Sequence, residues 1–223
     1  MRLLIVLLCA AFTALPVFGD TAERLKDAAT LIHEIMGTPD RSIPQDLFDR
    51  AECIVVVPGM KKAAFGFGGK YGRGFLSCRN KGAAGWSAPG AVRMEGGSFG
   101  FQIGVSSTDV ILLVMNRRGM DKLLSSKFTL GADAAVAGGP VGRSTSAQTD
   151  AMLKAEILSW SRSRGAFAGV SLEGATLRND LDENQVLYGS KITNREVVTR
   201  RPAVPAAAKG FISALNKYSM RKG

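Results

Sequence analysis

Apolar residues at helical spacing (Leu25, Ala28, Ala29, Ile32, Ile35 and Met36) predict a helix from Asp20 to about Met36, opened by Asp20 with Glu23 and stopped by Gly37 and Pro39. Its single apolar side requires a docking surface. A short second helix from Pro44 to about Ala51, capped by Ser42, leads into the apolar run Cys53-Ile54-Val55-Val56-Val57. From Cys53 to about Leu177 the pattern changes to short apolar runs punctuated by glycine. Candidate strands are 53–57, 62–68, 71–79, 91–95, 98–105, 109–115, 155–163 and 166–176, with a short helix near Gly119 to Ser125. Short connections favour antiparallel pairing, and the density of glycine at Gly66, Gly68, Gly69, Gly72 and Gly74 predicts bulges or strong coiling. Asp180 to Gly189 reads as a helix, Pro202 and Pro205 as a linker, and Pro205 to Ser219 as a last helix. That helix carries Phe211, Ala214, Leu215 and Tyr218 on one side, with Lys209 and Lys217 on the other. The class is α+β: a coiled, largely antiparallel, glycine-rich sheet or barrel-like core with flanking N- and C-terminal helices.

The first residues, MRLLIVLLCAAFTALPVFGD, place one cation before an apolar run that ends at Pro16 and small residues, the arrangement of a secretory signal. Cleavage is expected near Gly19. Leu8 before Cys9 argues against lipid attachment at that cysteine. The chain therefore divides into a signal over 1–19, N-terminal helices over 20–52, a β-rich core over 53–190 and a basic C-terminal segment over 191–223. Export leaves Cys53 and Cys78 as the mature cysteines, in a compartment that permits pairing. An up-down-up meander over 53–79 would set them at opposite ends of the sheet, so they are expected to be two small buried apolar residues.

With 46% hydrophobic and 22% charged residues in 223, the composition is globular and excludes disordered and collagenous classes. Lys plus Arg number 29 against 19 Asp plus Glu, a formal charge of +10 that calls for an anionic partner. Export argues against nucleic acid. The excess is uneven: 191–223 holds Lys191, Arg195, Arg200, Arg201, Lys209, Lys217, Arg221 and Lys222 against Glu196 alone. The core before it is nearly neutral.

Motifs for catalysis are weak. Gly96-Gly97-Ser98-Phe99-Gly100 fits the G-x-S-x-G elbow, but an alternating, strand-like segment follows where a helix is needed, and His33 is the sole histidine. The glycine spacing of Gly66 to Gly74 fits neither a dinucleotide loop nor a Walker loop, although bare backbone beside Lys70 and Arg73 has the makings of a phosphate nest. One histidine and two separated cysteines give no usual zinc site, and no cofactor is called for. Gly138-Gly139-Pro140-Val141-Gly142 forms a rigid turn with Arg143 at its end.

Six blocks resemble the SYLF-domain family in the family's own order: VVVPGMKKAAFGFGGKYGRGFLSCR, GWSAPGAVRMEGGSFGFQIG, TDVILLVMNRRG, FTLGADAAVAGGPVGR, SWSRSRGAFAGVSLEGATLRND and NQVLYG. They run from about Ala51 to Gly189. The resemblance implies a non-enzymatic module that binds phosphorylated lipid head groups, phosphoinositides in eukaryotic members, and that bundles actin in some of them. A signal and no N-x-S/T sequon suit a bacterial envelope protein, exported and peripheral to the membrane. There phosphatidic acid, phosphatidylglycerol or cardiolipin is the expected ligand, and actin is not an expected partner.

The expected function is non-enzymatic binding of anionic phospholipid head groups at a membrane surface of the envelope. Expected contacts are Lys61, Lys62, Lys70 and Arg73 near the first hairpin, Arg117 and Arg118 after a strand end, and Arg143. The tail adds Arg200, Arg201, Lys209 and Lys217, its last helix lying at the interface. Two other readings stand beside it: an envelope interaction protein that binds a protein or polysaccharide, and, remotely, a hydrolase using Ser98.

Overall fold

The computed structural model describes residues 18–38, 42–65, 67–99, 104–140, 154–163, 166–169 and 172–219. Its frame is a nine-stranded sheet: β1 (Cys53–Phe65), β2 (Phe67–Cys78), β3 (Gly90–Phe99), β4 (Gly104–Val114), β5 (Lys127–Thr129), β6 (Val136–Gly138), β7 (Ile157–Ser163), β8 (Ala166–Gly169) and β9 (Thr176–Asn179). The order is β5-β9-β3-β2-β1-β4-β7-β6, with β8 also on β7. Every pair is antiparallel except β6 with β7, as short connections demand.

Two expectations are corrected here. The run 53–68 is not two strands joined by a turn, because Pro58-Gly59 forms a bulge inside one long β1: pairing with β4 passes from Val57↔Val110 to Met60↔Thr108. Gly59 takes φ +60°, and its N–H donates to Asp109 Oδ1 at 2.8 Å. β1 and β2 therefore form one long hairpin whose open end sets Cys53 opposite Cys78, and the two are joined in a disulfide with an S–S distance of 2.04 Å. Likewise the expected strand 166–176 breaks into β8 and β9, since Ala175 N–H turns back on the Leu172 carbonyl with Gly174 at φ +77°.

The continuous apolar run of β1 is explained by burial on both faces. Ile54 and Val56 join Phe75, Ile111 and Trp160 in a core under the terminal helices, while Val55 and Val57 join Leu76, Val92, Met94 and Leu112 in a second core on the other side. Alternation along a strand sends each set to its own face.

The first core is roofed by α1 (Phe18–Met36), α2 (Gln45–Arg50) and a last helix, α6 (Lys209–Tyr218). α1 buries Leu25, Ala28, Ile32 and Ile35 as its spacing predicts; it begins at Phe18, so Asp20 lies in the first turn and pairs with Arg24 instead of capping. Pro44, not Ser42, is the N-cap residue of α2. The second core is bordered by α3 (Arg117–Leu123), which buries Met120 and Leu123. α4 (Leu181–Tyr188) is capped by Asp180 and ended by Gly189 at φ +75°. α5 (Asn194–Arg200) lies in the basic segment ahead of Pro202, where no helix was expected, and its Thr193/Glu196 capping box marks the start.

Candidate anion-binding surface

Among the described residues, the expected cations do not converge. They divide between the two ends of the β1–β2 hairpin, with Arg73 between them. At the closed end the register places Lys62 directly opposite Lys70 and Lys61 opposite Tyr71. Lys61 is exposed and its Nζ donates to Ser107 Oγ at 3.3 Å, whereas Lys62 and Lys70 are half-buried. Tyr71 is 48% exposed, unusual for a large ring among the described residues. Like charges directly opposite each other across a ladder weaken a sheet unless other contacts offset them.

Arg73 serves the fold. Its Nε donates to Asp180 Oδ2 at 2.7 Å and its Nη2 lies 2.5 Å from Glu183 Oε2, while Arg24 Nη1 donates to the other oxygen of Glu183 at 2.7 Å. Both carboxylates are buried. Burial opposes the charge on Arg73, but the hydrogen bond to Asp180 and the negative charges of Glu183 and Asp180 outweigh it and hold the guanidinium above its ordinary range. The phosphate-nest role for Arg73 gives way to this network.

A row of cations that sequence reasoning missed crosses the sheet at the level of Arg73. The register runs Arg73↔Arg93, Arg93↔Arg178 and Arg178↔Lys127 across β2, β3, β9 and β5. Glu95 lies 3.3 Å from Arg93 Nε and 3.4 Å from Arg178 Nε, so this row is partly neutralised. Asp182 at the start of α4 accepts from Lys191 at 2.7 Å, and its carboxyl is held below its ordinary range by that hydrogen bond, by the Lys191 charge and by Arg93 and Arg73. The row cannot be read from sequence without the register, because the predicted strand ended before Arg178.

At the open end, Arg117 lines a pocket of about 350 Å³ with Glu52, Arg79, Asn80, Lys81 and Met120. Arg118 pairs with Glu156 at 3.1 Å, Arg200 with Glu196 at 2.7 Å, and Arg201 donates to the Lys81 carbonyl at 2.7 Å. Arg79 is structural: it reaches the carbonyls of Ala51, Phe48 and Ser219 at 3.2, 3.0 and 2.7 Å, and stacks 3.8 Å from the Trp86 ring centroid. Lys209 and Lys217 are exposed on α6, with Lys217 Nζ 5.3 Å from the Tyr218 ring centroid. The apolar side of that helix is spent, however, because Phe211, Ile212, Ala214 and Leu215 are buried in the first core. This corrects the expectation that α6 lies in a membrane interface. Arg143 falls outside the described residues.

Ser98 is a strand residue paired with Gly68, and β3 runs through it to Phe99, so the strand-to-helix elbow does not form there. His33 Nδ1 lies 3.2 Å from the Tyr218 hydroxyl on the helix roof. Among the described residues no group of three His, Cys, Asp or Glu could hold a metal ion, and no helix is long and apolar enough to cross a membrane.

Comparison with known proteins assigns the family. The family model described as "Ysc84: Las17-binding protein actin regulator" matches residues 95–218. Protein YSC84 of Saccharomyces cerevisiae is 32% identical over 179 residues, covering 79% of this chain and 38% of that protein. LAS seventeen-binding protein 3 of the same yeast is 32% identical over 203 residues, covering 88% and 43%. The human SH3 domain-containing YSC84-like protein 1 is 27% identical over 210 residues, covering 92% and 61%. The chain thus spans about two fifths to three fifths of the length of these relatives. With a family match over more than half its length and yeast relatives above 30% identity, the chain belongs to the Ysc84 family, the SYLF-domain family indicated by its sequence blocks.

Proposed function

We propose that this protein is a non-enzymatic module that binds anionic phospholipid at a membrane surface of the cell envelope, through the closed end of the β1–β2 hairpin. The observation that carries the reading is the facing pair Lys62 and Lys70 with Lys61 and exposed Tyr71 beside it. Ammonium groups on both faces of a hairpin end, with an aromatic ring with a polar tip on the Lys61 face, suit phosphate head groups at an interface. The leader-like first residues support the envelope location. Each lysine near an anionic surface contributes on the order of 1 kcal/mol before screening. Sedimentation with vesicles tests this directly: recovery with phosphatidylglycerol vesicles at low salt, but not with phosphatidylcholine, is expected. Equal recovery with both overturns the reading.

A second reading is favoured by one observation. The family match, whose description names an actin regulator, covers 95–218, which holds Arg117, Arg118, Arg200 and Arg201 at the open end but not the hairpin lysines. On that reading the open end meets an acidic protein surface. Arg117→Glu with Arg201→Glu would then abolish capture of an acidic partner while leaving vesicle binding intact.

A further inference from the structure

The row of cations across β2, β3, β9 and β5 occupies one face and one level of the sheet. Met94, Leu177 and Phe128 are buried in the second core, so period-two alternation sends Arg93 and Glu95, Arg178 and Thr176, and Lys127 and Thr129 to the opposite face. Arg93, Arg178 and Lys127 lie in register on three adjacent strands, about 4.8 Å from one to the next, so three cations span roughly 10 Å. Arg73, the next in the row, is taken up by Asp180 and Glu183. The other three are not taken up in this way. The Arg93 and Arg178 side chains are 39% and 41% exposed, and Lys127 is exposed. Among the described residues Glu95 is the one carboxylate in ion-pair reach of either guanidinium, and the Lys127 ammonium has no ion pair. Neither Nε makes a hydrogen bond, so Glu95 is held between the two arginines by charge alone. On the level of Glu95 the Thr129 and Thr176 hydroxyls meet at 3.3 Å, and the exposed ring of Tyr71 stands on its other side.

We propose that this strip binds a linear acidic polysaccharide, with Arg93, Arg178 and Lys127 taking its carboxylates and Glu95 accepting hydrogen bonds from its hydroxyls. The site goes beyond the lipid reading and does not depend on it, because Lys62 and Lys70 belong to the other face of the sheet. Guanidinium forks match planar carboxylates, and a row perpendicular to the strands offers its cations one after another to an extended chain. The carboxylate in the midst of the cations selects the class of ligand. A polyphosphate brings acceptors only, so Glu95 repels it and finds no donor on it. A chain of sugar acids brings both carboxylates for the cations and hydroxyl donors for Glu95, and the Tyr71 ring offers an apolar face to the C–H side of a sugar.

The test titrates the full chain at low salt, by calorimetry, with linear oligogalacturonate, a neutral galactan oligomer and inorganic polyphosphate of matched charge. Binding of oligogalacturonate, none of the neutral oligomer, and an affinity about tenfold lower for polyphosphate are expected. No binding of oligogalacturonate, or equal affinity for polyphosphate, overturns the proposal. Arg178→Gln with Lys127→Gln is expected to weaken oligogalacturonate binding on the order of tenfold with an unchanged circular dichroism spectrum, and wild-type affinity in that variant overturns the site. A second variant keeps the test open should the first fold poorly. Glu95→Gln is expected to tighten polyphosphate and weaken oligogalacturonate; an equal gain for both would make the strip a patch of positive potential, and the proposal fails. Lys70→Ser is expected to lower recovery on phosphatidylglycerol vesicles and leave oligogalacturonate affinity unchanged. Loss of both would move the glycan to the hairpin end and overturn the assignment to this strip.

Discussion

The open and closed ends of the β1–β2 hairpin are made from one pair of strands and differ in nearly everything else. At the open end the Cys53–Cys78 bridge, the Arg79 guanidinium under Ser219, and two cores on opposite faces hold β1, β2 and β4 in place. At the closed end, glycine replaces the apolar alternation, two lysines face each other, and exposed glycines have empty space above them. Part of the sheet is built to be stable, and part gives up stability for a surface. In the first, Arg79 and the disulfide tie the strands to the helix roof; in the second, the ladder carries two lysines at one level.

The largest expected effect falls on Arg73. Arg73→Ala would leave Asp180 and Glu183 buried without their shared partner, and a loss of about 3–5 kcal/mol is expected in urea unfolding. Replacing both cysteines by serine removes a cross-link spanning 25 residues, worth about 3.5 kcal/mol on a loop-entropy basis. Lys70→Ser should cost far less, leaving the midpoint within about 0.5 kcal/mol, while lowering recovery on anionic vesicles. If that change destabilises as much as Arg73→Ala does, the contrast between the two ends is lost.

The smallest effect is a pH dependence at the open end. The Glu196 carboxyl is held below its ordinary value of 4.5 by the Thr193 backbone N–H and hydroxyl, so its contribution is present above that pH and fades as pH falls through the lower folded value. Thermal midpoints of the unmodified chain and Glu196→Gln should therefore differ near neutrality and converge in acid. A constant difference across the range would show that the capping box acts independently of the charge.

Periodicity made the cores legible before any coordinates. The face of α1, the run 53–57, the strand over 109–115 and the last helix all sit where apolar spacing put them. Local signals were ambiguous where two conformations share a dipeptide. Pro58-Gly59 reads equally as a turn or a bulge, and taking it for a turn moved Cys78 to the wrong end of the sheet. The capping box at Thr193 was present in the sequence but overshadowed by Pro202 and Pro205. Sites fared worse than elements, because a cation's role depends on what lies across the ladder. Nothing local to Arg73 announces Asp180 and Glu183, more than a hundred positions away.

The bridge between Cys53 and Cys78 also turns the hairpin into a macrocycle that contains Lys61, Lys62, Lys70 and Tyr71. Even in a denatured chain the residues proposed to meet lipid remain tethered in one ring, unable to drift apart. The covalent ring therefore keeps Lys61, Lys62, Lys70 and Tyr71 within one short loop of chain, whatever becomes of the helices that roof the rest of the sheet.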